Sequence, residues 1–432
     1  MKRIVYAAYA IILAAATTGT AFAQEFKWDG YINSGLGLVI TDRQVTDGNG
    51  GVKNATPYLT AFGVDSQQWG YRFRLNGSYT NEAKTAGVKL RLQGQAKTDK
   101  DSGAVTKAEL DSQSDPKTVT AATTVSAVPV VSLPIAYGWL AFFDGVFTLN
   151  AGVIDDSTWT AGGHMTDDMG EGLGLLLKLS PVSGLELGVG AYAISSLGSG
   201  DNNTLAAGIN KNVIDVWNAK YTFNVGYTLP NAFRVTATFR PKNDAGGSSN
   251  RDESMKASAG LRILGVKDLT AIAEAYLDKL EEFDSKGTVT IFETIGYKIG
   301  GLSFGLNAGE YVVTDEKKDF AVNFNPWVSY ALGGIAPRLD VVYFLGGQPS
   351  GSSGSAEGMY PRIANYSATN NAKDSVIGIS PSVKFNIDGK TFLEIGDVVN
   401  FEQWHEDYYG VSGHKKNSKI TNVFYIDVKW SF

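Results

Sequence analysis

Long runs of singly alternating apolar and polar residues constrain this chain more than any other feature it has. In Tyr71-Arg72-Phe73-Arg74-Leu75-Asn76-Gly77-Ser78-Tyr79 the odd positions are mostly apolar or aromatic and the even ones polar. Val88-Lys89-Leu90-Arg91-Leu92-Gln93 repeats the scheme, and so does Phe233-Arg234-Val235-Thr236-Ala237-Thr238-Phe239-Arg240. A strand turns successive side chains to opposite faces, so the arginines of such a run share one side; a helix would scatter them around its circumference.

Run length narrows the choice. Eighteen candidate strands fall at 28–41, 67–80, 85–96, 133–143, 145–153, 170–180, 183–194, 216–229, 231–240, 255–264, 267–278, 287–299, 301–313, 320–332, 334–346, 375–387, 390–401 and 420–432. Strands of water-soluble sheets run about five or six residues, whereas crossing a bilayer at a tilt takes about 9 to 11. Most of these runs are long enough to cross. The Thr/Ala/Val/Ser stretch at 117–132 leaves sixteen and twenty strands as neighbouring counts.

The connections alternate in length. Short turns fall at 81–84, 144–145, 181–183, 230, 265–266, 300, 333 and 388–389. Longer joins fall at 42–66, 97–132, 154–169, 195–215, 241–254, 279–286, 314–319, 347–374 and 402–419. Short turns on one rim and long loops on the other are the plan of an up-and-down transmembrane barrel. An even strand number then leaves both termini on the short-turn rim, facing the periplasm.

Physics leaves few alternatives. In hydrocarbon each unpaired backbone amide costs several kcal/mol, so only helices and closed barrels cross it. Past the N-terminal leader no apolar stretch approaches the ~20 residues of a spanning helix. The expected fold is all-β: a closed antiparallel transmembrane barrel, with no sheet edge left to aggregate. With 50 glycines, 11% aromatic and only 19% charged residues, the composition suits a sheet whose faces meet different solvents.

The N-terminus reads as an export signal. Lys2 and Arg3 precede an apolar run from Ile4 to Ala16, and Ala21-Phe22-Ala23 places small residues at −3 and −1 before Gln24. The expected organisation is a signal peptide over 1–23 and a barrel over 24–432. The formal net charge is −6, and cleavage would make it two units more negative. With no basic stripe, that balance argues against a nucleic-acid partner. Cysteine is absent, which excludes disulfides and thiolate chemistry.

The last strand, from Ile420 to Phe432, carries Phe424, Ile426, Val428, Trp430 and Phe432 on one face and ends in phenylalanine. It resembles the C-terminal signature of Gram-negative outer-membrane proteins. With the leader and the strand plan, the whole exported chain resembles a bacterial porin, without pointing to a subfamily. Eighteen strands resemble sugar-selective and OprD-like channels more than sixteen-strand general porins. The resemblance implies outer-membrane lipid as solvent, recognition of Trp430 and Phe432 by the barrel-assembly machinery, and assembly as a homotrimer. It also implies passive diffusion of ions and small hydrophilic solutes through a water-filled pore.

At 16–18 strands side chains no longer fill a barrel. Alternation turns Arg72, Arg74, Lys89, Arg91, Arg234, Arg240 and Arg262 inward, with Glu274, Asp278 and Asp340. Porins fold their third long loop into the lumen. Here that loop holds Asp155, Asp156, Asp167, Asp168 and Glu171 around Trp159, Gly162-Gly163, His164 and Met165. By that analogy its carboxylates face Arg72, Arg74 and Arg91 across a constriction. The competing readings are an acidic extracellular loop or a cation site for calcium or lipopolysaccharide. Trp28, Trp69, Trp217 and Trp430 fall near strand ends, where amphipathic rings meet headgroups; Trp139 and Trp327 do not.

Rival functions have less behind them. The three histidines, His164, His405 and His414, show no compact ligand spacing, although His405-Glu406-Asp407 is a local cluster. No Ser/His/Asp arrangement or cofactor motif stands out, so catalysis, as in a membrane-embedded hydrolase, is not expected. A structural or adhesive barrel is the second alternative, with the loop at 97–132 as its binding element. A soluble β-helix would need a fixed repeat period, and none is present.

Overall fold

The computed structural model describes residues 25–41, 44–46, 52–54, 57–61, 69–97, 130–155, 159–161, 171–192, 219–242, 254–313, 320–345, 375–403 and 418–432. Twenty-one strands follow in chain order. They are β1 (Glu25–Thr41), β2 (Gln44–Thr46), β3 (Val52–Asn54), β4 (Tyr58–Ala61), β5 (Trp69–Thr80), β6 (Ala86–Lys97) and β7 (Val130–Phe142). Next come β8 (Phe147–Asp155), β9 (Glu171–Val182), β10 (Leu185–Tyr192), β11 (Lys220–Leu229), β12 (Phe233–Arg240), β13 (Lys256–Ile263) and β14 (Leu269–Asp278). The rest are β15 (Thr288–Ile299), β16 (Leu302–Val313), β17 (Phe320–Tyr330), β18 (Ile335–Leu345), β19 (Ser375–Asn386), β20 (Thr391–Gln403) and β21 (Ser418–Ser431).

Each long strand pairs antiparallel with its sequence neighbours, and the ring closes where β1 meets β21, from Tyr31 opposite Ser431 to Thr41 opposite Thr421. Along its other edge β1 pairs first with β5, then with β4 at Leu36–Val39. The short β4 and long β5 therefore share one place, and the barrel has eighteen. All eighteen expected strands are present, with ends moved by a few residues. The first long connection held more than alternation could reveal: the β2–β3 hairpin, and β4 lying beside β1. A single helical turn, α1 (Phe283–Lys286), preceded by a 3-10 turn at Leu280–Glu282, caps the β14–β15 connection.

Register fixes which side chains face out. In β11, Phe223 and Val225 are exposed while Thr222 and Asn224 are buried, the reverse of a water-soluble sheet. The same inversion runs round the ring: Leu175, Leu177, Val189, Ile295, Leu306, Ile379 and Ile426 all stand exposed on the outer parity. Water would not solvate so large an apolar band, but hydrocarbon does. Near the short-turn rim the band ends in aromatics, among them Trp28, Tyr227, Tyr297, Tyr330 and Trp430, at the level of lipid headgroups. Trp139 and Trp327, by contrast, lie on the inner parity, each against a glycine (Gly87 and Gly305) whose missing side chain makes room for the ring.

Three acidic residues interrupt the outer band. Glu293 on β15 and Glu310 on β16 are exposed and diagonal to each other, Glu293 opposite Ala308. Asp397 on β20 accepts a hydrogen bond from Asn422 Nδ2 on β21 at 2.9 Å.

The turns of the short-turn rim use local chemistry suited to tight reversals. Phe143 and Asp144 both have positive φ, as the favoured two-residue hairpin turn requires. Asp388 Oδ1 accepts the N–H groups of Lys390 and Thr391, and Gly389 takes φ +79. These backbone bonds, with that of the Thr391 hydroxyl, hold the Asp388 carboxyl below its ordinary value. The chain both enters and leaves the barrel on this rim, where Gly30 and Phe432 exchange backbone hydrogen bonds.

Candidate functional site

The inner face carries the chemistry, and its character changes along the barrel axis. On β1, β5 and β6 the inward arginines are tied to neighbours. Gln93 Oε1 accepts from Arg72 Nη2 at 3.1 Å and from Arg74 Nε and Nη2 at 2.9 and 2.6 Å. Arg91 Nε donates to Asn76 Oδ1 at 2.9 Å, and Asn76 Nδ2 donates to Asp29 Oδ1 at 2.6 Å. Register thus sets Arg72, Arg74 and Arg91 side by side on the inner parity of β5 and β6.

Toward the long-loop rim parts of the inner face turn apolar, alongside the buried Arg240, Lys256, Asn323 and Asn400, which departs from the uniformly polar face that alternation suggests. Val39, Val398, Val423 and Tyr425 form one buried cluster on β1, β20 and β21. Ile154, Leu176 and Tyr192 form another on β8 to β10. Inward apolar side chains in an open aqueous bore would be exposed, yet Val376, Val398 and Val423 are at 0%. The long-loop half of the interior is packed.

The third long loop reaches further down, into the short-turn half: the glycines it touches, Gly188, Gly226 and Gly260, each lie three residues from their strand's short-turn end. Trp159 is 3% exposed and sits against Gly188 on β10 and Gly226 on β11, with Lys178 Nζ 5.6 Å from its ring centroid. Two residues on, Ala161 N donates to Glu274 Oε1 on β14 at 2.6 Å, and the Ala161 methyl lies over Gly260 on β13. All of these partners are on the inner parity. Trp159 and Ala161 therefore stand inside the ring, against the inner parity of β10 to β14. A side chain at Gly188 or Gly260 would collide with them, so glycine there is a matter of space.

The basic wall and the loop's anchorage oppose each other. β5 and β14 are nine places apart in the ring of eighteen, so Arg72 and Arg74 stand across the bore from Glu274 and Asp278. Asp278 bonds Ser254 and pairs with Lys256 Nζ at 3.8 Å. Between the two walls, β15 to β18 carry a polar ladder: Thr294, Asn307 and Asn325 lead to Asp340. Asp340 is clasped by Arg338 through two bonds of 2.7 Å, and Arg338 stacks on Trp327 at 4.6 Å.

Of the acidic residues expected at a constriction, Asp155 and Glu171 are directly paired in register at the long-loop ends of β8 and β9. Asp156, Asp167 and Asp168 lie outside the described residues, as do the three histidines. Among the described residues no group of three His, Cys, Asp or Glu is placed to hold a metal ion. Sequence reasoning missed Trp159 as an anchor. Its only trace is an isolated tryptophan in a loop, together with glycines at inward strand positions.

A closed antiparallel barrel of eighteen strands with an apolar exterior and a polar-lined bore defines the outer-membrane β-barrel class. No protein-family profile and no curated protein matches the chain. Among solved structures it is similar to OccK1 (OpdK) of Pseudomonas aeruginosa, at 9% identity over 94% of this chain and 98% of that one, with TM-score 0.49. It is similar to OccAB4 of Acinetobacter baumannii at 11% identity over 95% and 99%, TM-score 0.48. The outer membrane channel DcaP of the same organism matches at 11% identity over 95% and 97%, TM-score 0.45. These likenesses are of barrel architecture.

Proposed function

We propose that this barrel is a porin, a water-filled channel for passive diffusion of ions and small hydrophilic solutes across the outer membrane. The observation that carries the reading is the combination of an eighteen-place ring with inward charged side chains that remain exposed, such as Lys89 and Arg262. A ring of that size is too wide for side chains alone to fill. The lumenal segment from Trp159 to Ala161 narrows the bore, and of its acidic flanks Asp156, Asp167 and Asp168 would face Arg72, Arg74 and Arg91, whereas Asp155 and Glu171 fall on the outer parity of β8 and β9, in step with Val153 and Leu173. A transverse field of that kind selects by attraction and by desolvation cost.

Single-channel recording in planar bilayers tests the proposal: stepwise conductance is expected, and a correctly folded barrel that never conducts refutes it. Neutralising Asp156 should shift ion selectivity; an unchanged reversal potential would remove it from the constriction. The same reading places both termini in the periplasm, with the leader cleaved after Ala23. It makes Trp430 and Phe432 the signal for the barrel-assembly machinery and a homotrimer the working assembly. N-terminal sequencing and native-gel mass of the protein from membranes check the cleavage and the assembly.

A further inference from the structure

We propose that the channel prefers small anions, because its short-turn mouth is ringed by cations. The inference rests on the channel reading above and adds the class of solute. Lys27, Lys89, Arg262, Lys298, Lys384 and Lys429 all lie on the inner parity, each within three residues of its strand's end at the short-turn rim. They come from β1, β6, β13, β15, β19 and β21, so they are spread around the ring instead of forming one patch. Lys27, Lys89, Arg262 and Lys298 are exposed to the bore.

Carboxylates at this level are fewer and have specific partners. Glu186 is paired with Arg234 at 3.0 Å, and Asp29 accepts from Asn76. Glu394, directly opposite Lys384 in the β19–β20 register, accepts the Tyr425 hydroxyl at 3.1 Å. Overall charge does not explain the ring. The chain is net −6, and Glu293, Glu310 and Asp397, which alternation turns toward lipid, are all acidic. Positive charge is thus concentrated where solutes would pass, in a protein that is otherwise acidic. A low-dielectric wall around a narrow aqueous bore focuses such a potential and raises the local concentration of counter-ions, and rings of Lys and Arg are how pores favour anions.

The test uses the full exported chain refolded into planar bilayers, under a potassium chloride gradient. The expected reversal potential has the sign of a chloride-selective pore. The K89Q/R262Q/K298Q triple variant should bring it toward zero, and Asp29→Asn should move it further in the anion direction. Should the triple variant fail to fold, the wild-type protein suffices. Its selectivity should fall as salt is raised from 0.1 M to 1 M, where the screening length drops from about 10 to about 3 Å. Replacing chloride by acetate or inorganic phosphate then distinguishes carboxylates from phosphates as the better-carried anion. A conducting pore that is unselective or favours potassium overturns the anion inference and leaves the porin reading standing. A folded barrel without conductance overturns both.

Discussion

The two halves of the lumen are built on opposite terms. Beside the short turns the inner wall is charged and wet, with Lys89, Arg262 and Lys298 reaching into open space. Beneath the long loops the same strands carry valines and aromatics at almost zero exposure. One strand thus serves two interiors, a bore and a core. The lesson is that strict alternation specifies which face a residue is on, while residue type along that face specifies what the face meets.

Substitutions that exchange the two environments give the sharpest contrast. Val398→Asp would bury an unpaired carboxylate in the packed half, at a cost of several kcal/mol. The expected result is a barrel that fails to fold, or a heat-modifiable gel band lost at far lower temperature. Trp159→Ala removes the loop's seat; emptying a comparable buried site costs about 3–5 kcal/mol. Here the loss should fall on the loop, seen as larger and noisier single-channel conductance with the ring intact. Gly188→Val should reproduce that phenotype by filling the seat.

Smaller effects come from the outer and short-turn surfaces. Glu293→Leu restores the apolar band and should stabilise the barrel in lipid vesicles by roughly 1–2 kcal/mol, by analogy with other charges on lipid faces. Unchanged denaturant midpoints in lipid would mean that Glu293 does not meet hydrocarbon. Lys298→Gln, in the wet half, should change stability by no more than about 0.5 kcal/mol, whatever it does to current. The smallest effect is at the Asp388 turn. Its carboxyl is held below the ordinary 3.8, so its contribution is present above that value and is lost as pH falls through the lowered one. Asp388→Asn should flatten that acid limb slightly in a pH series of thermal midpoints.

Much of this architecture was legible in the sequence, for a physical reason. A bilayer demands long strands of period two and full backbone pairing, so runs such as 231–240 declare both their conformation and their facing, and Arg72, Arg74 and Arg91 fell where alternation placed them. The loop was harder. The seat of Trp159 is assembled from Gly188 and Gly226 on β10 and β11, and that of Ala161 from Gly260 on β13, so the positions come together only once these strands have paired. The apolar long-loop half was also hidden, because valine on an inward position looks the same whether water or protein covers it. β4 escaped notice because it is four residues long and borrows its place from β5.

The join between β1 and β21 has a kinetic consequence. Tyr31 meets Ser431 and Leu38 meets Phe424, so the cylinder's seam links residues nearly a full chain length apart. Such distant contacts must forgo the head start that local ones enjoy, and they slow folding accordingly. Until the final strand arrives, two raw edges stand open in a greasy ribbon, each a row of unpaired amides and carbonyls that invites pairing with another chain.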